Sequence, residues 1–106
     1  MNELELAFTE RMLGVYEEAK SECGYIATRF RQMVLDQGGV QAAKTLLRAR
    51  HSDGLTNLWE AERLDISMEA TVLQEPWCGL FTPEELGMAL SHLRALGYEP
   101  EVMGSG

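Results

Sequence analysis

Cysteine is scarce in this chain of 106 residues: Cys23 and Cys78 stand alone and far apart. That excludes a disulfide scaffold, and with only two histidines, His51 and His92, no stretch clusters enough ligands for zinc; no metal or other cofactor is expected. Unpaired thiols point to a reducing compartment. Long apolar runs are also missing, since no stretch approaches the ~18 consecutive apolar residues of a membrane span. The opening MNELELAFTERM has neither a basic leader nor a continuous apolar segment, so a cytoplasmic protein is expected, with no membrane partner. No repeat period and no low-complexity segment interrupts the pattern. Positive charge is the last shortage. Nine Lys and Arg against 17 Asp and Glu leave a net charge of −8, which opposes attraction of the whole surface to DNA, RNA or anionic lipid.

What is present describes one acidic helical domain. A 45% hydrophobic, 25% charged chain of this length supports a core of its own and excludes wholesale disorder. The domain is expected to span residues 1–103, with Gly104-Ser105-Gly106 a flexible tail or a cloning remnant. Charge is unevenly spread. Residues 1–27 carry two basic and six acidic side chains, residues 28–63 six and four, and residues 64–106 one and seven. The acidic flanks enclose a mildly basic waist of Arg29, Arg31, Lys44, Arg48, Arg50 and Arg63.

Apolar spacing predicts the elements. Leu4, Phe8, Met12, Val15, Tyr16, Ala19 and Cys23 recur at three- and four-residue intervals, giving a helix over about 2–22 with Asn2 as N-cap and Gly24 as terminator. Ile26, Phe30, Met33 and Val34 predict a second helix ended by Gly38-Gly39, and Val40, Ala43, Leu46 and Leu47 a short third. After the turn-like HSDG at 51–54, with Ser52 or Asp53 placed to cap, Leu55, Leu58, Trp59 and Glu62 predict a fourth helix with a glutamate at its inward corner. Leu64, Ile66, Met68, Ala70, Val72 and Leu73 fit either a fifth short helix opened by Asp65 or Ser67, or a strand. Thr82, Pro83 and Glu85 form a capping box and N1 proline for the last helix, whose apolar face is Leu86, Ala89, Leu90 and Leu93; Gly97 should end it. The expected fold is all-α, a single compact domain of five or six short helices.

Four groupings invite a functional reading. Glu60, Glu62, Arg63, Asp65 and Glu69 offer carboxylates for acid–base work beside a cation, if burial separates their pKa values; structural pairing, as of Arg63 with Glu60, is the simpler expectation. Arg29, Arg31, Lys44, Arg48 and Arg50 lie around a helix, Gly-Gly turn, helix layout that superficially matches a helix-turn-helix. The second of those helices lacks a strong basic run. Cys23 with His51 lacks any nucleophile signature, Cys23 reading as a buried thiol and His92 as exposed. Finally, Trp77, Leu80 and Phe81 sit in the connection EPWCGLF, where a tryptophan either plugs the core or anchors a partner. Met88 and Met103 would add adaptable contact surface if exposed.

The strings YIATRFRQMVLDQGGVQAAKTLL, LTNLWEAERLDISMEATVL and LFTPEEL, with their GGVxAAKxLL and LWExxRLD pieces, resemble a family of small bacterial proteins without a settled activity or cofactor. The resemblance covers about residues 25–86. It implies a bacterial, stand-alone domain and transfers no catalytic residue.

With no catalytic constellation, the expectation is a non-enzymatic accessory or regulatory module that binds another protein. Trp77, Phe81, Glu60, Arg63 and Asp65 are its candidate contacts. A basic or nucleic-acid-handling partner would suit the acidic ends, and self-association is compatible with them. The alternative is nucleic-acid binding by Arg29, Arg31, Lys44, Arg48 and Arg50; a third possibility makes Glu60, Glu62, Arg63 and Asp65 an active site.

Overall fold

A computed structural model describes residues 2–49 and 53–99, with Asp53 and Gly54 in backbone only. Six α-helices and two short 3-10 turns form one compact all-α unit, with no strand among the described residues. Arg50, His51, Ser52, Met103 and the 104–106 tail lie outside the described residues.

Helix α1 (Glu3–Cys23) begins as its sequence dictates. The Asn2 side chain accepts from the Glu5 N–H at 2.8 Å while the Glu5 carboxylate accepts from the Asn2 N–H at 3.0 Å. Gly24 closes it at φ 68°. Phe8, Met12, Val15 and Ala19 form its buried face. Cys23 is half-buried, at the margin of the core rather than inside it.

Helix α2 (Thr28–Gln37) starts later than its apolar spacing suggests. Ile26 lies ahead of the first turn and is 58% exposed, leaving Val34 as the buried member of that stripe. Gly38, at φ 86° and ψ 156°, ends α2 in a conformation essentially reserved for glycine, and α3 (Gly39–Leu47) follows at once. Gly39 is therefore a helix start and not part of a terminator. Its N–H donates to Thr9 Oγ1 at 2.9 Å, and a Cβ there would stand 2.7 Å from Thr9 Cα. The pair of glycines thus serves two ends: one turns the chain, and the other lets α3 rest on the backbone of α1.

Helix α4 (Asp53–Glu60) is shorter than expected. The Arg63 N–H returns to the Leu58 carbonyl at 2.8 Å and the Glu62 N–H to Trp59 at 3.0 Å, with Glu62 at φ 60°. This is a Schellman closure with glutamate at the left-handed position. It carries Glu62 out of the helix into solvent, so the expected inward corner does not form.

The ambiguous stretch after it is no strand. A 3-10 turn at Leu64–Ile66 leads into α5 (Met68–Val72), whose N-cap Ser67 accepts from the Ala70 N–H at 3.1 Å and donates to the Leu64 carbonyl at 2.7 Å. Leu64 and Ile66 are buried on either side of exposed Asp65, and every residue from Ile66 to Leu73 is buried because α5 packs against α6, not because the chain is extended. The next connection holds a cis Glu75–Pro76 bond and the 3-10 turn Trp77–Leu80. Helix α6 (Pro83–Ala95) has the expected capping box, Thr82 with Glu85, and ends through Gly97 at φ 80°.

Candidate partner-binding groove

The two aromatic residues singled out in EPWCGLF turn inward. Phe81 is 7% exposed and meets the Phe8 ring edge-on at 5.4 Å, while half-buried Trp77 packs on the same ring at 5.5 Å. Both plug the core, each ring pair adding roughly 0.5–1.5 kcal/mol to area burial. Phe81 has almost no surface to offer a partner, which corrects its candidacy.

The exposed tryptophan is Trp59, at 47%. Its i+4 spacing to Leu55 resembles a core position, but α4 ends one residue later and the residue remains 47% exposed. Around it lies a groove of about 630 Å³ bordered by Trp59, Glu60, Glu62, Leu64, Leu96 and Tyr98. Two helix ends build it. Tyr98 donates its N–H to Leu93 at 3.0 Å and Gly97 to Arg94 at 2.9 Å, the same closure as at Glu62. The groove therefore collects the C-termini of α4 and α6, each carrying partial negative charge. Glu60 and Glu62 add two exposed carboxylates with no ion pair among the described residues.

Arg63 does not compensate them. It turns away from Glu60, donating to Asp65 Oδ1 at 3.1 Å and Oδ2 at 3.3 Å and to Glu22 Oε1 at 3.1 Å. Arg94, near the other helix end, is held by Glu99 at 2.8 Å. The expected pairing of Arg63 with Glu60 is thus replaced by one reaching α1. Exposure of Glu60, Glu62 and Asp65 also removes the burial that acid–base chemistry at this cluster requires. Glu69 belongs elsewhere, buried on α5.

No family model, curated protein or solved structure matches this chain.

The basic waist is broken up by the fold. Lys44 Nζ lies 3.1 Å from Glu85 Oε1 and Arg48 Nη2 3.4 Å from Glu85 Oε2, so the two central cations of the nucleic-acid reading share one carboxylate. Arg31 lies over the Tyr16 ring at 5.8 Å. Arg29 and Arg31 have no carboxylate partner among the described residues, and Arg50 lies outside them.

Two buried acids escaped the sequence reading in their final role. Glu85 is 2% exposed; the Thr82 backbone N–H, 2.9 Å away, is the main cause holding its pKa below the ordinary 4.5, with Lys44 assisting against desolvation. Glu69 lies 3.9 Å from His92 Nδ1, and attraction to this carboxylate raises His92 above its ordinary 6.5 despite partial burial. His92 is half-buried, not exposed as its surroundings in sequence suggest. Among the described residues, no group of three or more His, Cys, Asp or Glu is placed to hold a metal, and no helix is long and apolar enough to cross a membrane.

Proposed function

We propose that the protein is a non-enzymatic interaction module whose Trp59 groove receives a lysine- or arginine-bearing segment of a partner protein. The observation that carries this reading is the convergence of an exposed tryptophan, two exposed carboxylates with no ion pair among the described residues, and two helix C-termini on one groove. Each favours a cation: the indole through its ring face, the carboxylates through charge, the helix ends through aligned carbonyls. Leu64, Leu96 and the ring of Tyr98 supply apolar surface for the side-chain stem. The net charge of −8 would speed encounter with a basic partner.

This reading moves the contact set from Trp77 and Phe81 to Trp59 and keeps Glu60 within it. Nucleic-acid binding by the waist ranks below it, because Lys44 and Arg48 are engaged by Glu85. Cytoplasmic residence, supported by the two free cysteines, belongs to the same proposal. So does kinship with the small bacterial proteins that share the GGVxAAKxLL and LWExxRLD strings.

The test is affinity capture from the native host with the wild-type chain and with Trp59→Ala. A stoichiometric partner with a basic contact segment is expected, weakened by salt and at least about tenfold by the substitution. A partner retained equally by Trp59→Ala, or none at all with a monomeric chain in solution, overturns the reading.

A further inference from the structure

A second concavity, of about 400 Å³, opens among α1, α2, α3, α4 and α5, away from the Trp59 groove. Its size falls within the range of small-molecule sites, and its wall is mostly apolar, with Tyr16, Phe30, Met33 and Leu46 prominent. Among the described residues two charged side chains border it, Arg29 and Glu69. They are not equivalent. Arg29 is exposed, where water and salt screen it, whereas Glu69 is 3% exposed in surroundings of low polarity.

A carboxylate that deep in an apolar wall needs a compensating cation or donor. Its ion-pair partner among the described residues is His92 Nδ1 at 3.9 Å, beyond hydrogen-bond reach and outside the lining of the cleft. Glu69 thus keeps acceptor capacity that His92 does not fill. The overall charge of −8 adds a field that draws cations in preference to anions.

We infer that this cleft binds a small apolar amine, its hydrocarbon or aromatic body against Tyr16, Phe30 and Met33 and its ammonium on the Glu69 carboxylate. The aromatic walls suit such a ligand, since a ring face attracts an ammonium as it passes and packs an apolar body behind it. An anionic analogue would gain only the screened Arg29 and would meet Glu69 with like charge.

Calorimetric titration of the full chain with 4-phenylbutylamine, 4-phenylbutanol and 4-phenylbutyrate separates these chemistries. The amine is expected to bind at least about tenfold more tightly than the alcohol, with the acid weakest. Glu69→Gln, close to isosteric, is expected to bring amine and alcohol within about twofold of each other. Equal binding of amine and alcohol, tightest binding of the acid, or an amine preference that survives Glu69→Gln overturns the inference. Should that variant fail to fold, amide and methyl shifts of the wild-type chain decide. Shifts centred on Tyr16, Phe30 and Met33 uphold it, and shifts confined to Trp59 and Tyr98 overturn it while leaving the partner-binding groove intact.

Discussion

Lys44 Nζ on α3 reaches Glu85 Oε1 on α6 at 3.1 Å, joining positions 41 residues apart in the chain. The same carboxylate oxygen accepts the Thr82 N–H at 2.9 Å. One buried glutamate therefore closes a helix start and docks that helix on another. Glu85→Ala is expected to lower stability by about 2–3 kcal/mol, combining a lost cap with a lost charge-assisted bond. Glu85→Gln, which retains capping capacity, should lose about half as much. Urea denaturation of the two variants against wild type checks the ratio.

Glu85 and His92 have their pKa values shifted in opposite directions. Glu85 has its folded pKa lowered, so its stabilisation is present above about 4.5 and is lost as pH falls through the lower folded value. His92 has its folded pKa raised, so its stabilisation is complete below about 6.5 and is lost as pH rises through the higher folded value. The stability difference between wild type and His92→Gln should therefore shrink from pH 6 to pH 9, and that for Glu85→Gln should shrink below about pH 4. Thermal unfolding across this range measures both differences.

Backbone positions give a set of contrasts. Gly39→Ala would drive a methyl against the Thr9 backbone, and separating α1 from α3 should cost about 1–3 kcal/mol. Gly87→Ala, within α6 and facing open space, should gain about 0.5–1 kcal/mol from helix propensity. Glu62→Gly relieves a left-handed glutamate and should stabilise by about 0.5–1 kcal/mol while removing a groove carboxylate. A more stable chain with weaker partner binding is the expected signature, read by calorimetry and capture on the same variant.

The aromatic residues divide between core and surface. Phe81→Ala removes a ring packed on Phe8 and should cost about 3–5 kcal/mol. Trp59→Ala should cost only about 1 kcal/mol, because the residue is 47% exposed and lies outside the core. Comparison of denaturation midpoints distinguishes the buried phenylalanine from the exposed tryptophan.

The all-α architecture and most helix ends were legible in the sequence by itself, because caps depend on hydrogen bonds spanning three to five residues. Asn2 with Glu5, Thr82 with Glu85, and the glycines at 24 and 97 all close locally. Where no glycine marks the end, as at Glu62, apolar spacing predicts a helix that runs past its actual end at Glu60, with an inward glutamate that the closure turns out to solvent. Tertiary structure decided the rest. Trp59 is exposed because α4 stops beside the end of α6; Glu69 is buried because α5 lies under α6; and the waist cations are divided because α3 meets Glu85. Those outcomes rest on contacts between distant segments, and a three- or four-residue period carries no information about which segment will arrive on its other side.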